Sequence, residues 1–164
     1  MTPRIPDTAA SANDYRIEKV RHSVLLTLTG GMTLTGDIFL QPTTRYRSGP
    51  QHPAELFNEP ESFIPVAGIW GSLLVAKEQI IRVEFEAPPP PADSPIEGGA
   101  TATIDVTCTD GGVYGGTVRL DVRADRSRLL DFLNGVHELF LMLESPNGIC
   151  LVNRRHIVHV HQGR

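Results

Sequence analysis

The chain has 164 residues, of which 40% are hydrophobic and 21% charged, a composition typical of a soluble globular protein. Its net charge of -4 gives no general attraction to nucleic-acid phosphates or anionic lipid, because that attraction depends on clustered Lys and Arg. No stretch approaches the roughly 20 apolar residues of a membrane helix, and Pro3, Arg4, Pro6 and Asp7 stand where a signal peptide needs apolar residues, so we expect a cytoplasmic protein with no membrane partner.

The first elements along the chain are a polar tail and a β hairpin. Residues 1–14 are rich in Pro, Thr, Ala and Ser without apolar periodicity, which predicts a disordered tail. Apolar residues then alternate from Val24 to Leu28, a Gly30-Gly31 pair interrupts them, and the alternation resumes through Leu40. This pattern predicts two antiparallel strands joined by a tight turn.

The same pattern returns in the second half of the chain. Residues 104–120 repeat residues 24–40, and residues 148–160 repeat residues 71–83, with five identical positions in each block. The identical pairs are Thr27/Thr107, Thr29/Thr109, Gly31/Gly111, Gly36/Gly116 and Leu40/Leu120, then Gly71/Gly148, Leu74/Leu151, Val75/Val152, Ile80/Ile157 and Val83/Val160. Chance would give roughly one match in fifteen, so the pattern predicts an internal duplication.

A short helix and three more strands complete each predicted copy. In copy one, Pro53 suits the first helical position and Pro60 stops the helix soon after Asn58. In copy two, Asp125 is the predicted cap of a helix that runs from residue 126 to residue 133. The predicted last strand of copy one places Ile81, Val83 and Phe85 on one face, after a turn at Lys77-Glu78 that corresponds to Arg154-Arg155 in copy two.

These elements divide the chain into a tail at residues 1–14, a first β domain at 15–86, a proline-rich and glycine-rich linker at 87–99, and a second β domain at 100–164. The predicted fold class is all-β with one short helix per repeat. Five short strands per copy favour two tandem Sm-like or SH3-like small barrels, because closure hides the edges of a small sheet. The alternative is a flat five-stranded sheet in each copy, with the two copies packed face to face.

A family resemblance supports the predicted domain boundaries. Glu55-Leu56-Phe57-Asn58 followed by Phe63-Ile64-Pro65-Val66, with Asp131-Phe132-Leu133-Asn134 in copy two, resembles the acidic-x-Leu-Asn and Phe-x-Pro signature of small uncharacterised bacterial β domains, although Met142 replaces the proline in copy two. The strand order is also similar to that of Sm-like proteins. Their RNA-binding motif is not reproduced, since Asp37 has no nearby Asn and no Arg-Gly stands between strands four and five.

The candidate binding residues lie in the helix of copy two and in two loops of copy one. Arg128, Asp131 and Asn134 are spaced three apart, which predicts a polar face on the helix, or a brace in which Arg128 pairs with Asp131. Arg45-Tyr46-Arg47 forms a basic and aromatic insertion that suits an anionic partner, or a tolerated loop. Trp70, the one tryptophan of the chain, marks an interface if exposed and a barrel plug if buried.

Signs of chemistry are weak. His159 and His161 alternate on the last strand, but no third ligand accompanies them, so we predict no metal site and no cofactor. Cys108 and Cys150 have no C-x-x-C spacing and are expected to be buried free thiols. The alternative is one disulfide bond between them. The glycine pairs precede strands rather than a helix, which favours turns over a phosphate loop.

The sequence therefore predicts a non-catalytic, bacterial-type interaction or regulatory module whose partner is another protein or a second copy of the chain. Two alternatives remain. Nucleic-acid binding by Sm-like barrels predicts a patch formed by Arg45, Arg47, Arg82 and Arg119. An enzyme with a site between the two copies predicts a deep pocket at their interface that contains at least two converging titratable groups.

Overall fold

The structure is a computed structural model and describes residues 18–44, 49–89, 100–120 and 128–163. Several predictions lie outside these residues: the tail at 1–14, the Arg45-Tyr46-Arg47 segment, most of the linker at 87–99, and the helix start at Asp125.

The described residues form mainly antiparallel β sheet with a few short helices, which confirms the predicted all-β class. The first half contains β1 (Val20–Leu28), β2 (Thr33–Leu40), α1 (Pro53–Phe57), β3 (Phe63–Gly68), β4 (Gly71–Ala76) and β5 (Ile80–Phe85). The second half contains β6 (Thr101–Cys108), β7 (Val113–Arg119), α2 (Leu129–Gly135), β8 (Phe140–Ser145), β9 (Gly148–Asn153) and β10 (Ile157–Gln162). Short 3₁₀ turns at Thr29–Gly31, Lys77–Gln79 and Arg154–His156 connect strands that are consecutive in the chain.

Local sequence accounts for the hairpin and the first helix. Gly30 and Gly31 have φ values of 80° and 78°, a left-handed conformation that glycine adopts without steric cost and that lets β1 fold back on β2. In α1, Pro53 occupies the first helical position and the His52 side chain accepts a hydrogen bond from the Ala54 N–H. The helix ends at Phe57 with Asn58 as its cap residue, slightly before the predicted stop between Asn58 and Pro60.

The ten strands pair in one continuous sheet with the order β10-β6-β7-β8-β9-β5-β1-β2-β3-β4. In both halves the fifth strand lies beside the first, and the second, third and fourth follow in turn. The halves join edge to edge, because β5 of the first half pairs with β9 of the second. The flat-sheet alternative is wrong in requiring the halves to pack face to face.

Two clusters of buried side chains form the core, and each takes residues from both halves. The first is built around Leu26, Ile38 and Val66 of the first half and also includes Phe140 and Leu151 of the second. The second is built on β6, β7 and β8 and includes Ile81 of the first half. Each half is therefore completed by apolar side chains from the other.

Two local predictions are wrong. Ile81 does not share a face with Val83, because Thr27 pairs with Arg82 while Leu28 pairs with Ile80, which leaves Ile81 as the extra residue of a β bulge. The bulge directs Ile81 into the second cluster, whereas Val83 belongs to the first. Arg128 is not part of a helix face, since it is the extended cap residue before α2 begins at Leu129.

We expect Leu151→Ala to lower the free energy of unfolding by about 2–5 kcal/mol, since its fully buried side chain packs in the first cluster and leaves a cavity when it is shortened. The measurement is urea unfolding followed by circular dichroism. Leu130→Ala is the matched control, because Leu130 is exposed on α2 and the change should stay within about 0.5 kcal/mol. Equal effects of the two substitutions would contradict this assignment of the core.

Candidate interaction surface

The junction between the halves is an antiparallel strand pair. Val83 of β5 lies opposite Leu151 of β9, and Glu84 lies opposite Cys150. The backbones approach closely at Gly148, where a Cβ atom would lie 2.6 Å from the carbonyl oxygen of Phe85. Gly148 also has a φ of 135°, so both space and backbone conformation require glycine at this end of the pair.

An asparagine clamp reinforces the junction. The N–H of Phe140 donates to Oδ1 of Asn58 over 2.8 Å, and Nδ2 of Asn58 donates to the carbonyl oxygen of Phe140 over 3.4 Å. The Phe57 ring packs edge-on against Phe140, with 5.6 Å between ring centroids. The end of α1 is therefore fixed to the start of β8 by polar and aromatic contacts together.

Further polar contacts join the turns that precede β5 and β10. Asn153 is fully buried, and its Nδ2 donates to the carbonyl oxygens of Ile80 and Lys77. Arg155 donates through Nη1 to Oε1 of Glu78 over 2.7 Å, although both side chains are exposed. The buried amide contributes more to the junction than the exposed ion pair, which water and salt screen.

A polar cleft of about 550 Å³ lies beside this junction and takes its lining from both halves. Lys77 is buried there, and its Nζ donates to the carbonyl oxygens of Glu59 and Leu56 over 2.9 and 3.4 Å. Burial lowers the pKa of Lys77, while the charges of Glu59 and Glu61 oppose that shift. The cleft lies between the halves, and the contacts of its lysine hold backbone carbonyls of the α1 segment in place.

Arg82 organises a second group of contacts between the halves. Its guanidinium lies 3.7 Å from the centroid of the Tyr114 ring, and its Nε donates to Oγ1 of Thr27 over 3.0 Å. Burial raises the pKa of Tyr114 to about 12, with Arg82 opposing the shift. This arginine therefore bridges β1, β5 and β7 by hydrogen bonding and cation–π stacking.

The two thiols lie close to this group. Both are free, with Cys108 buried and Cys150 half-buried. Burial raises the pKa of Cys108 to about 11 and that of Cys150 to about 12. At neutral pH both thiols are protonated and weakly nucleophilic, as expected of structural cysteines.

The open edge of the sheet at β4 is the most exposed apolar surface of the described residues. Five large apolar side chains are exposed on β3, β4 and the turn between them: Phe63, Ile69, Trp70, Leu73 and Leu74. The Trp70 ring covers the backbone at Gly68, where a Cβ would lie 2.7 Å from Cζ2 of the indole. We call this set the β4 edge surface. Exposed apolar side chains along an open strand edge are typical of a docking site.

The backbone of β4 is also suited to pairing. Leu74 lies opposite Pro65 of β3. Proline has no N–H, so these two residues cannot exchange a pair of backbone hydrogen bonds. Because bonding direction alternates along an antiparallel strand, the N–H and C=O of Leu74 then face the open side. A strand placed there would find a donor and an acceptor beside an exposed leucine.

The structure locates some of the predicted site residues and does not bring them together. Trp70 is exposed in the turn before β4 and belongs to the β4 edge surface. Arg128 precedes α2, while Asp131 and Asn134 are exposed on that helix. Arg45, Tyr46 and Arg47 lie outside the described residues.

Two of the four arginines predicted to form a nucleic-acid patch, Arg82 and Arg119, are paired with acids. Nη2 of Arg119 lies 3.4 Å from Oε2 of Glu144, and Nε of Arg82 lies 3.8 Å from Oε2 of Glu84. The positive charge of these two residues is thereby compensated locally, which does not favour a phosphate-binding surface.

His159 and His161 are exposed on β10. Within residues 18–44, 49–89, 100–120 and 128–163, no three His, Cys, Asp or Glu side chains come close enough together to bind a metal ion. Neither helix in this part of the chain has the length and apolar character needed to cross a bilayer.

Sequence reasoning missed the leucines of the β4 edge surface and the clamp by Asn58. The repeated block contains Leu74 without indicating that it is exposed, and the motif that contains Asn58 does not indicate its partner. One available signal was the pair Leu73-Leu74, because adjacent apolar residues in a strand place one of them on each face.

Comparison with known proteins gives no relative: no protein-family model, curated protein or solved structure matches the chain.

Asn58→Ala should lower the free energy of unfolding by about 1–3 kcal/mol, because it leaves the backbone N–H of Phe140 without its acceptor in a part-buried position. Thermal and urea unfolding measure the effect. Asn147→Ala, in the exposed turn between β8 and β9, is the control and should change little. Equal free energies of unfolding for the two variants would show that the clamp contributes nothing to stability.

The raised pKa values of the two thiols predict that the protein loses stability at alkaline pH. In the unfolded chain they ionise from the ordinary value of 9.0, whereas in the folded chain they stay protonated up to about 11 and 12. Their contribution is therefore complete below pH 9 and declines as pH rises through 9–11. Urea midpoints measured from pH 8 to pH 11 should fall, and a Cys108→Ala/Cys150→Ala variant should show a shallower decline. Parallel pH profiles for the two proteins would refute this linkage.

Proposed function

We propose that the chain is a non-catalytic interaction module that binds an extended strand along the β4 edge surface. One observation carries the proposal: β4 ends the described sheet with exposed leucines and outward-facing backbone groups, beside an exposed tryptophan. Strand addition to such an edge uses main-chain hydrogen bonds for affinity and alternate side chains for specificity.

The same proposal treats the halves as diverged copies of one Sm-like or SH3-like small β domain. Matching strand order, matching 3₁₀ turns before the last strand and the repeated sequence blocks support this origin. Under it, β9 is the counterpart of β4, and the strand that occupies the edge of β9 is β5. The β5 sequence therefore indicates what β4 accepts: a short strand with apolar residues alternating with charged ones.

Protein is favoured over nucleic acid as the partner. The β4 edge surface is apolar, and the described arginines of the predicted basic patch are paired with Glu84 and Glu144. Stacking on Trp70 alone would not provide the charge neutralisation on which nucleic-acid affinity depends. The polar cleft between the halves is assigned to holding the two halves together, since Asn58, Arg155 and Lys77 make cross-junction or backbone contacts there.

A labelled peptide copying residues 79–87 tests the proposal by fluorescence anisotropy. We expect saturable binding in the micromolar range, absent for a scrambled peptide of the same composition. Leu74→Pro should abolish binding by removing an outward N–H, and Leu74→Lys should weaken it by placing a charge on the apolar edge.

Leu130→Lys is the matched control, because Leu130 is exposed on α2 and outside the β4 edge surface. Circular dichroism of each variant checks that it is folded. Absence of saturable binding to the unsubstituted chain, or equal binding by the Leu74→Lys and Leu130→Lys variants, would overturn the proposal.

A further inference from the structure

We infer that the strand that occupies the β4 edge is β10 of a second copy of this chain, so that copies join head to tail. This inference rests on the proposed function, since it names the partner of the same surface. The two open edges of the described sheet are β4 and β10, at opposite ends of the strand order. They are the counterparts of the two strands that already pair inside the chain, β9 and β5.

The internal junction provides the register. Val83 pairs with Leu151 and Glu84 pairs with Cys150. At the sequence offset of the second repeated block, Val160 corresponds to Val83 and Leu74 to Leu151, while His161 corresponds to Glu84 and Leu73 to Cys150. The inferred contact therefore places Val160 of one copy opposite Leu74 of the next, and His161 opposite Leu73.

Burial differs sharply between the used edges and the open edges. Leu151 is 0% exposed and its counterpart Leu74 is 73% exposed. Phe140 is 1% exposed and its counterpart Phe63 is 60% exposed. Ile81 at the bulge of β5 is 2% exposed, whereas Val158 at the bulge of β10 is 61% exposed. The residues that the internal junction buries are apolar. Their counterparts on β3, β4 and β10 are also apolar, but they are exposed in this chain.

The match between Val158 and Ile81 is the most specific of these correspondences. The β6–β10 register shifts between Ile157 and His159, which places the bulge at Val158, just as the β1–β5 register places it at Ile81. Ile81 enters the core cluster of the other half through its bulge. Val158 has the same backbone device and an apolar side chain, but in this chain it faces solvent.

Some of the polar contacts of the β5–β9 junction could also form in the inferred contact between copies. Asn58 clamps the backbone of Phe140, and the counterparts Asn134 and Phe63 are both exposed. The residue matching Asn153 is Ala76, so the buried amide contact is not repeated. The outer junction is therefore built on apolar contacts, strand pairing and one asparagine clamp.

The inferred interface is heterologous, because each copy contributes two different surfaces. Such an interface generates a closed ring if the rotation between copies closes and an open chain of copies if it does not. It also has a testable consequence that a symmetric dimer lacks: damage to one surface can be complemented by a partner damaged at the other.

Light scattering during size-exclusion chromatography tests the inference on the full chain. We expect a mass that is a multiple of 18.0 kDa. Leu74→Lys and Val158→Lys, each alone, should elute at the mass of one chain, whereas Leu130→Lys should leave the assembly intact. Both substitutions replace exposed side chains, so circular dichroism should show an unchanged fold.

Mixing the Leu74→Lys and Val158→Lys proteins is the decisive test of the head-to-tail contact. The first retains an intact β10 and the second an intact β4, so the mixture should form a 1:1 dimer with twice the mass of one chain. A single-chain mass for the unsubstituted protein at all concentrations, or a mixture that remains monomeric while the unsubstituted chain assembles, would overturn the inference.

Cross-linking tests the register. A Leu73→Cys protein mixed with a His161→Cys protein should form an intermolecular disulfide under mild oxidation, because directly opposed residues in a non-hydrogen-bonded antiparallel pair bring their Cα atoms within disulfide range. The pairing of Leu130→Cys with His161→Cys is the control. Equal cross-linking in both mixtures would reject the register.

Repeating the peptide titration on the Val158→Lys protein separates this inference from the proposed function. Binding of the 79–87 peptide to this monomer, together with assembly of the unsubstituted chain, supports both. If the peptide binds but the unsubstituted chain never assembles, the inference is wrong and the proposed function stands. If the monomeric Val158→Lys protein does not bind the peptide, the proposed strand-docking function is wrong. If Val158→Lys abolishes assembly but Leu74→Lys does not, the contact between copies lies elsewhere.

Discussion

The pairing of β5 with β9 is the interaction on which the rest of the structure depends. It merges two five-stranded halves into one sheet, and it brings Phe140 and Leu151 into the first core cluster and Ile81 into the second. Small domains bury a limited fraction of their surface, so sharing side chains across a junction adds apolar burial that neither half could supply alone. The clamp by Asn58 and the buried amide of Asn153 then fix the register of that contact.

Sequence patterns predicted the features that depend on neighbours along the chain. Alternating apolar residues located the strands, paired glycines located the hairpin turns, and Pro53 located the start of α1, because each expresses a local backbone preference. The bulge at Ile81 was not predictable in this way, since strict alternation assumes an uninterrupted ladder. Arg128 was misplaced because its spacing suits a helix that begins only after it.

The candidate surface was harder to predict for a different reason. Leu74 and Leu151 occupy matching positions in repeated sequence, yet one is exposed and the other buried. Their difference comes from whether a strand lies alongside, which is decided by a contact between residues far apart in the chain. Reasoning from residue type directed attention to arginines, histidines and helix polar residues, whereas the structure draws it to aliphatic side chains whose partner strand is absent. Among the predicted site residues that the structure describes, Trp70 lies on that surface.

The exchange of core residues between halves has an evolutionary consequence. A chain in which Ile81 completes one cluster and Phe140 completes the other cannot lose either half without exposing the interior of the survivor. Under the proposed duplication, such a mutual dependence selects against deletion back to a single unit, while the two units remain free to drift apart in sequence. The present contrasts, Ala76 against Asn153 and Phe57 against Leu133, are the kind of divergence that this arrangement permits.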